Sequence, residues 1–70
     1  MPSQTFELEG EYVELNQLLK LAGIAASGGE GKHLVADGLV TVDGVLELRK
    51  TCKIRAGQVV VIEDETIRVV

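Results

Sequence analysis

The sequence predicts an α+β fold in which two short helices pack on a small, mostly antiparallel sheet, in the order β-α-α-β-β-β-β. Apolar residues recur at helical spacing between residues 15 and 38, and apolar and polar residues then alternate from residue 40 onward. Of the 70 residues, 46% are hydrophobic and 26% are charged, a balance typical of one folded domain over residues 1–70. So small a core leaves little room for a buried cleft, which favours a binding module over an enzyme.

The N-terminal part predicts a strand followed by a helix. Residues 5–9 alternate as a half-buried strand does. Apolar residues then share one face of the first helix: Leu15, Leu18, Leu19 and Ala22. Polar residues fall on the opposite face: Asn16, Gln17 and Lys20. Gly23 is placed to end this helix as a C-terminal cap.

A second helix is predicted to begin at Ser27 and to end at Gly38. Ser27 and Glu30 have the spacing of a capping box, in which each side chain accepts from a free backbone N–H. Gly31 inside the helix costs about 1 kcal/mol relative to alanine, and close packing of the two helices would explain it. Leu34 and Val35 share the inner face with Gly31, whereas Lys32 and His33 point outward.

The remaining residues predict four strands. Residues 40–42 and 45–48 form a hairpin, with Asp43 and Gly44 in a type I′ turn. Residues 49–55, called the basic segment below, connect this hairpin to a strand at 58–62. A polar turn at 63–65 leads to the last strand, at 66–70.

Charge is distributed unevenly along the chain, whose net charge is −4. Acidic residues concentrate at both ends, and cations concentrate in the middle. The basic segment contains Arg49, Lys50, Lys53 and Arg55. Further polar groups lie on the outer helix faces: Lys20, Lys32 and His33. If the helices pack beside the hairpin, these groups form one basic surface on an acidic protein.

Several classes of function are excluded by composition. With one cysteine the chain cannot make an intrachain disulfide, and with one cysteine and one histidine it cannot make a Cys/His zinc site of the usual kind. Residues 28–33 lack the glycine and Ser/Thr positions of a phosphate-binding loop. Neither His33 nor Cys52 has a partner suited to catalysis, and Cys52 is interpreted as a packed thiol. We therefore predict no enzyme activity, cofactor, metal or small-molecule substrate.

The longest apolar run, residues 59–62, is far shorter than the ~20 residues of a membrane span. The N-terminus lacks the pattern of a secretory signal, so we expect a cytoplasmic protein, without a membrane partner and monomeric. A single Phe and a single Tyr argue against single-strand readers that stack bases on aromatic platforms.

An ordered series of motifs resembles a known family. The series comprises a short helix, a serine-capped helix, Gly-Leu-Val-x-Val-Asp-Gly at 38–44 and Lys-x-x-x-Gly-x-x-Val at 53–60. It is similar to the alpha-L RNA-binding motif, the domain shared by the ribosomal "S-four" protein, tyrosyl-tRNA synthetases and pseudouridine synthases. The resemblance covers roughly residues 13–62 and is closest to the small stand-alone bacterial members.

The resemblance implies non-catalytic binding of structured RNA, with ribosomal RNA or the ribosome as a candidate partner. Matched position by position, it implies contacts from the second helix and from the basic segment. Lys20 is added from the outer face of the first helix. The candidate RNA-binding residues are therefore Lys20, Ser27, Lys32, His33, Arg49, Lys50, Lys53 and Arg55. Two alternatives remain open. One is a winged helix-turn-helix that binds DNA, and the other is a protein adaptor that uses the acidic termini.

Overall fold

A computed structural model describes residues 3–70, in which two helices pack against two sheets. The helices are α1 (Leu15–Leu21) and α2 (Gly28–Ala36). The strands are β1 (Ser3–Phe6), β2 (Val13–Glu14), β3 (Val40–Val42), β4 (Val45–Leu46), β5 (Lys53–Ile54), β6 (Val59–Ile62) and β7 (Glu65–Val69). The predicted α+β class, with two helices on a mostly antiparallel sheet, is confirmed.

The larger sheet has the strand order β1-β7-β6-β3-β4. Three of its strand pairs are antiparallel, namely β3-β4, β3-β6 and β6-β7, and only β1 and β7 are parallel. The second sheet is the antiparallel pair β2-β5, in which Val13 lies opposite Ile54 and Glu14 lies opposite Lys53. The sequence did not predict β2 or β5, so the predicted element order is wrong at these two places. Strands of two residues are too short to show alternation.

The predicted strand at 5–9 is displaced in the structure. β1 occupies Ser3–Phe6, and the chain beyond it still pairs with the end of the molecule, because the Leu8 N–H donates to the Val70 carbonyl at 2.8 Å.

The last strand begins and ends one residue earlier than predicted. β4 ends at Leu46 instead of residue 48, although the Glu47 N–H still donates to the Val40 carbonyl at 3.0 Å.

Local signals at the helix ends and the hairpin turn are confirmed. Both helices end in a Schellman motif, in which Gly23 and Gly38 adopt φ of +81° and +76°. The Ser27 hydroxyl accepts from the Glu30 N–H at 3.1 Å, which is the serine half of the predicted capping box. Asp43 and Gly44 have φ of +52° and +82°, as a type I′ turn requires.

The core lies between the helices and the inner face of the larger sheet. Its fully buried large side chains are Leu15, Leu18, Leu19, Val35, Val40, Ile54, Val60, Ile62, Ile67 and Val69. Leu34, predicted inside, is half-buried against this core. None of the helices within residues 3–70 is long and apolar enough to cross a membrane.

Asn16 is a correction to the predicted helix faces. It was expected on the polar face of α1, but it is buried, with 2% of its surface exposed. It lies where α1 crosses α2, and a Cβ atom at Gly31 would stand only 2.5 Å from the Asn16 carbonyl oxygen. Gly31 is therefore needed for close packing of the helices, as predicted.

Candidate nucleic-acid interface

The basic segment is attached by its backbone to the N-terminus of α1. The first N–H groups of a helix have no partner within it, and Glu14 at the start of α1 provides no side-chain cap. Instead, the Leu15 N–H donates to the Cys52 carbonyl at 2.8 Å, and the Asn16 N–H donates to the Lys50 carbonyl at 3.1 Å. The basic segment thus caps α1, while the side chains of Lys50 and Lys53 remain exposed.

Asn16 also joins α1 to the N-terminus of α2. Its side-chain amide donates to the Gly28 carbonyl at 3.5 Å, and its own backbone N–H is held by Lys50. Ser27, which caps α2, is the chain neighbour of Gly28. One buried residue therefore connects the capped end of α2, through its side chain, to the basic segment, through its backbone. Sequence analysis missed this role, because an asparagine on a helix usually indicates a solvated position.

The other end of the basic segment is tied to the β3–β4 hairpin turn through Gln58. The Gln58 side-chain carbonyl accepts from the Arg55 N–H at 2.7 Å, and its amide donates to an Asp43 carboxylate oxygen at 3.4 Å. The second Asp43 oxygen accepts from the Val59 N–H at 2.9 Å. The hairpin turn and the basic segment consequently hold a fixed relation to each other.

Arg49 forms the one ion pair within residues 3–70. Its guanidinium donates to both carboxylate oxygens of Glu47, at 2.9 and 3.0 Å, and its backbone N–H donates to the same group at 2.9 Å. These hydrogen bonds lower the pKa of Glu47 to about 2. Much of the positive charge of Arg49 is therefore offset locally, whereas Lys50, Lys53 and Arg55 have no such partner among the described residues.

Tyr12 lies beside two cations of the basic segment. The Lys53 Nζ atom is 4.9 Å from the centroid of the Tyr12 ring, and the Arg55 Cζ atom is 5.7 Å from it. Tyr12 was not among the sequence-predicted site residues. Nothing in the sequence indicated this role for Tyr12, because the contact depends on the pairing of β2 with β5, which connects residues far apart in the chain.

The remaining predicted residues occupy two exposed positions on α2 and one on α1. Lys32 and His33 are exposed on α2. Gly31, which precedes them in the same helix, faces α1. Lys20 is exposed in the last turn of α1, and no contact described within residues 3–70 joins its side chain to the basic segment. Acid and base are less separated in space than along the chain, since Glu14 lies directly opposite Lys53.

Cys52 is partly buried within the basic segment. Burial raises the pKa of its thiol, and the carboxylate of Glu47 raises it further. A raised pKa keeps the thiol protonated at neutral pH and lowers its reactivity. The interpretation of Cys52 as a packed thiol agrees with these surroundings.

The structure is that of a small α+β domain in which a segment with exposed cations caps the first helix. The sequence matches the model of the S4 domain over residues 6–70, and the chain belongs to this family. The resemblance to the alpha-L RNA-binding motif is thereby confirmed.

The particular relatives are YbcJ proteins. The chain is 48% identical over 67 residues to "Putative RNA-binding protein YbcJ" of Escherichia coli K12, covering 94% of this chain and 96% of that protein. It has the same identity and coverage with "Uncharacterized protein YbcJ" of Shigella flexneri. The predicted similarity to small stand-alone bacterial members is therefore confirmed.

A solved structure shows the same architecture. The solution structure of YbcJ from E. coli superposes with a TM-score of 0.73, at 48% identity, and covers 94% of this chain and 85% of that one. That structure is described as revealing an alfaL motif involved in RNA binding. These matches favour neither the DNA-binding nor the adaptor alternative.

Proposed function

We propose that this chain binds structured RNA without catalysing a reaction, as one domain over residues 1–70, and that it holds the RNA by its phosphates and shape. The observation that carries this proposal is the attachment of both the α2 N-terminus and the basic segment to Asn16. This attachment joins two segments that are far apart in the sequence, each of which carries exposed cations. The names of its YbcJ relatives support RNA as the ligand.

Each candidate residue has a role that its position suggests. Lys32, Lys50, Lys53 and Arg55 supply exposed positive charge for phosphate oxygens. The hydroxyl of Ser27 accepts from Glu30 and keeps its own proton for a phosphate or a 2′-hydroxyl, and His33 offers a ring N–H. Lys20 and Arg49 contribute at the margin, Arg49 because Glu47 already neutralises it.

Phosphate contacts need only hydrogen-bond donors and positive charge, so the proposed binding requires no metal, cofactor or small-molecule substrate. Recognition by phosphate and shape suits a double-helical or folded RNA. We infer that ribosomal RNA or its precursors are the biological ligand, and that a cytoplasmic monomer binds it.

Charge reversal on the proposed surface tests this function. The variant combines Lys32→Glu with Lys50→Glu, two exposed positions whose side chains make no ion pair within residues 3–70. Its stability should change by no more than about 0.5 kcal/mol per site, as is usual for surface changes. Its affinity for an RNA hairpin should fall at least tenfold, because each change removes a cation and adds repulsion. A thermal melt and a binding titration on the same samples measure both.

The single reversals Lys32→Glu and Lys50→Glu are measured as well, and Arg68→Glu is the matched control for each of them. Arg68 is exposed on β7, opposite Thr5 of β1, and lies outside the proposed surface. It changes the net charge as much as Lys32→Glu does, so non-specific electrostatics would weaken binding equally in both. A double variant that melts normally and binds RNA as the unmodified protein does would contradict the proposed surface.

A further inference from the structure

The outer face of the small β2-β5 sheet brings one aromatic ring and two cations together. Tyr12 immediately precedes β2, and Arg55 immediately follows β5, so the register of the pair places them opposite each other. Lys53 is two residues before Arg55 and faces the same side. The distances of 4.9 Å and 5.7 Å from the ring centroid put both cations in cation–π contact with Tyr12.

The backbone that carries these three residues is anchored to the core. Ile54, between the two cations, is fully buried, and Val13, next to Tyr12, packs against the core. The Arg55 backbone is held by Gln58, and its guanidinium donates to the Glu11 carbonyl at 3.4 Å. The backbone under the ring is therefore fixed, although 42% of the Tyr12 surface is exposed. An exposed aromatic ring on a fixed base is a ready surface for stacking.

The two sides of Tyr12 differ in charge. On one side are Lys53 and Arg55, with Glu14 directly opposite Lys53 in the strand pair. Tyr12 also lines an open groove of about 440 Å³, together with the apolar residues Leu8 and Leu21 and the acidic residues Glu7 and Glu9. The groove leaves room for a flat apolar group and would repel a phosphate. This polarity suits a ligand with a flat uncharged part and an anionic part, as a nucleotide has.

We propose that Tyr12, Lys53 and Arg55 form a subsite for one unpaired nucleotide of the bound RNA. Its base stacks on the Tyr12 ring, and its flanking phosphates are held by the two cations. The inference rests on the proposed RNA-binding function, and it requires that the bound RNA contain an unpaired nucleotide. A base within a continuous duplex has both faces covered, so only a bulge, loop or strand end next to the held stem can occupy the subsite.

A stacked base can displace a cation from the Tyr12 ring without a net loss of binding free energy. A cation–π contact at an exposed site is weaker than the stacking of a base on an aromatic side chain. A cation that leaves the ring gains a phosphate oxygen as its new partner. The contacts seen without RNA therefore keep Lys53 and Arg55 beside the place where the phosphates arrive. Because every base has a stackable face, the subsite selects an unpaired nucleotide and tolerates any base.

The test compares two RNA hairpins that differ only in a single-nucleotide bulge in the stem. The unmodified protein should bind the bulged hairpin about tenfold more tightly than the fully paired one, which is within the range for loss of one stacked base. Tyr12→Phe, the matched control, keeps the ring and should keep the preference. Tyr12→Leu removes the ring and should bind both hairpins at the level of the paired one.

Intrinsic fluorescence gives a second measurement without any variant. The chain has one tyrosine and no tryptophan, so its tyrosine emission comes from Tyr12 alone. The bulged hairpin should quench this emission more strongly than the paired hairpin does at equal saturation. Both measurements are made on samples whose melting temperature matches that of the unmodified protein.

The outcomes separate the subsite from the function beneath it. If the unmodified protein binds neither hairpin, the proposed RNA-binding function fails. If it binds both equally, RNA binding stands and the unpaired-nucleotide subsite is wrong. If the preference for the bulge survives Tyr12→Leu, the base is bound elsewhere and the assignment to Tyr12 is overturned.

Discussion

At the scale of single residues, the pKa of the Glu47 carboxyl is lowered to about 2 by its surroundings. Three hydrogen bonds from Arg49 reach it, two from the guanidinium and one from the backbone N–H. Only 15% of the Glu47 side chain is exposed, although its partner is largely in solvent. The pair fixes the turn between β4 and the basic segment, so its protonation state bears on how that segment is held.

We expect the contribution of Glu47 to stability to disappear in acid. Its pKa falls from an ordinary value of 4.5 to about 2 on folding, so the unfolded chain takes up the proton first. The stabilisation is then full above about pH 4.5 and is lost as pH falls towards about 2. The gap in urea midpoint between the unmodified protein and Glu47→Gln should accordingly shrink across this range.

Glu9→Gln serves as the control for this pH series, because Glu9 is exposed and has no ion pair within residues 3–70. The urea midpoint of Glu9→Gln should differ little from that of the unmodified protein at any pH. A gap for Glu47→Gln that stays constant from neutral pH to about pH 2 would show that the amide substitution acts through packing and that the charge of Glu47 has no part in it.

At the scale of elements, the crossing of α1 and α2 depends on a missing side chain. An added Cβ atom at Gly31 would lie 2.5 Å from the Asn16 carbonyl oxygen and 3.1 Å from the Asn16 Cα atom, both of them backbone atoms of α1. The backbone of a packed helix cannot give way as a flexible side chain can. The same residue, Asn16, also holds the basic segment, so the crossing positions the proposed RNA-binding surface.

Gly31→Ala should destabilise the protein, in contrast to its usual effect inside a helix. Replacing glycine by alanine normally favours a helix by about 1 kcal/mol, but overpacking here should cost about 1–3 kcal/mol. Gly29→Ala in the same helix is the matched control, since its Cβ atom would meet only the Ser27 hydroxyl, at 3.8 Å. It should be neutral or slightly stabilising. Chemical unfolding of both variants measures the difference, and equal stabilities would contradict the close crossing.

Signals confined to a few neighbouring residues predicted the elements of this fold well. The Gly23 and Gly38 caps, the Ser27 cap and the Asp43-Gly44 turn depend on local backbone chemistry, and each is present. The β2-β5 pair was missed because its two strands are about 40 residues apart in the chain and too short to show a period.

The same limit explains what sequence reasoning missed at the candidate site. The cations were visible as a run of charge, but the residues that arrange them were not. Asn16, Gln58 and Tyr12 act through contacts between distant parts of the chain. The family resemblance predicted the family and its fold, because an ordered series of motifs carries information that no single residue does.

At the scale of the whole molecule, the basic segment and the acidic β6–β7 turn lie at opposite ends of α1. The basic segment caps the N-terminus of α1. Beyond its C-terminus, Ile24 borders the β6–β7 turn with Glu63, Asp64 and Glu65. The molecule measures 26 × 25 × 21 Å. At physiological salt the screening length is about 8 Å, so a bound RNA is affected mainly by the nearby cations. At 0.01 M salt it is about 30 Å, and the net charge of −4 acts across the whole molecule.

RNA affinity should therefore depend on salt in two regimes. Near physiological salt, with about three to five phosphate contacts, log affinity should fall against log salt with a slope of about −2 to −4.5. Below about 0.02 M salt the slope should flatten, because repulsion from the distant acidic turn is no longer screened. Fluorescence titrations of one RNA hairpin across the salt range measure both slopes.

Neutralising the acidic turn isolates the second regime. A variant with Glu63→Gln, Asp64→Asn and Glu65→Gln should keep the slope at physiological salt and lose the flattening at low salt, because it removes the distant charge and leaves the basic segment unchanged. An affinity independent of salt near physiological conditions would exclude binding through phosphates. Flattening that survives in the neutralised variant would instead place the repulsion within the proposed surface itself, where Glu14 faces Lys53.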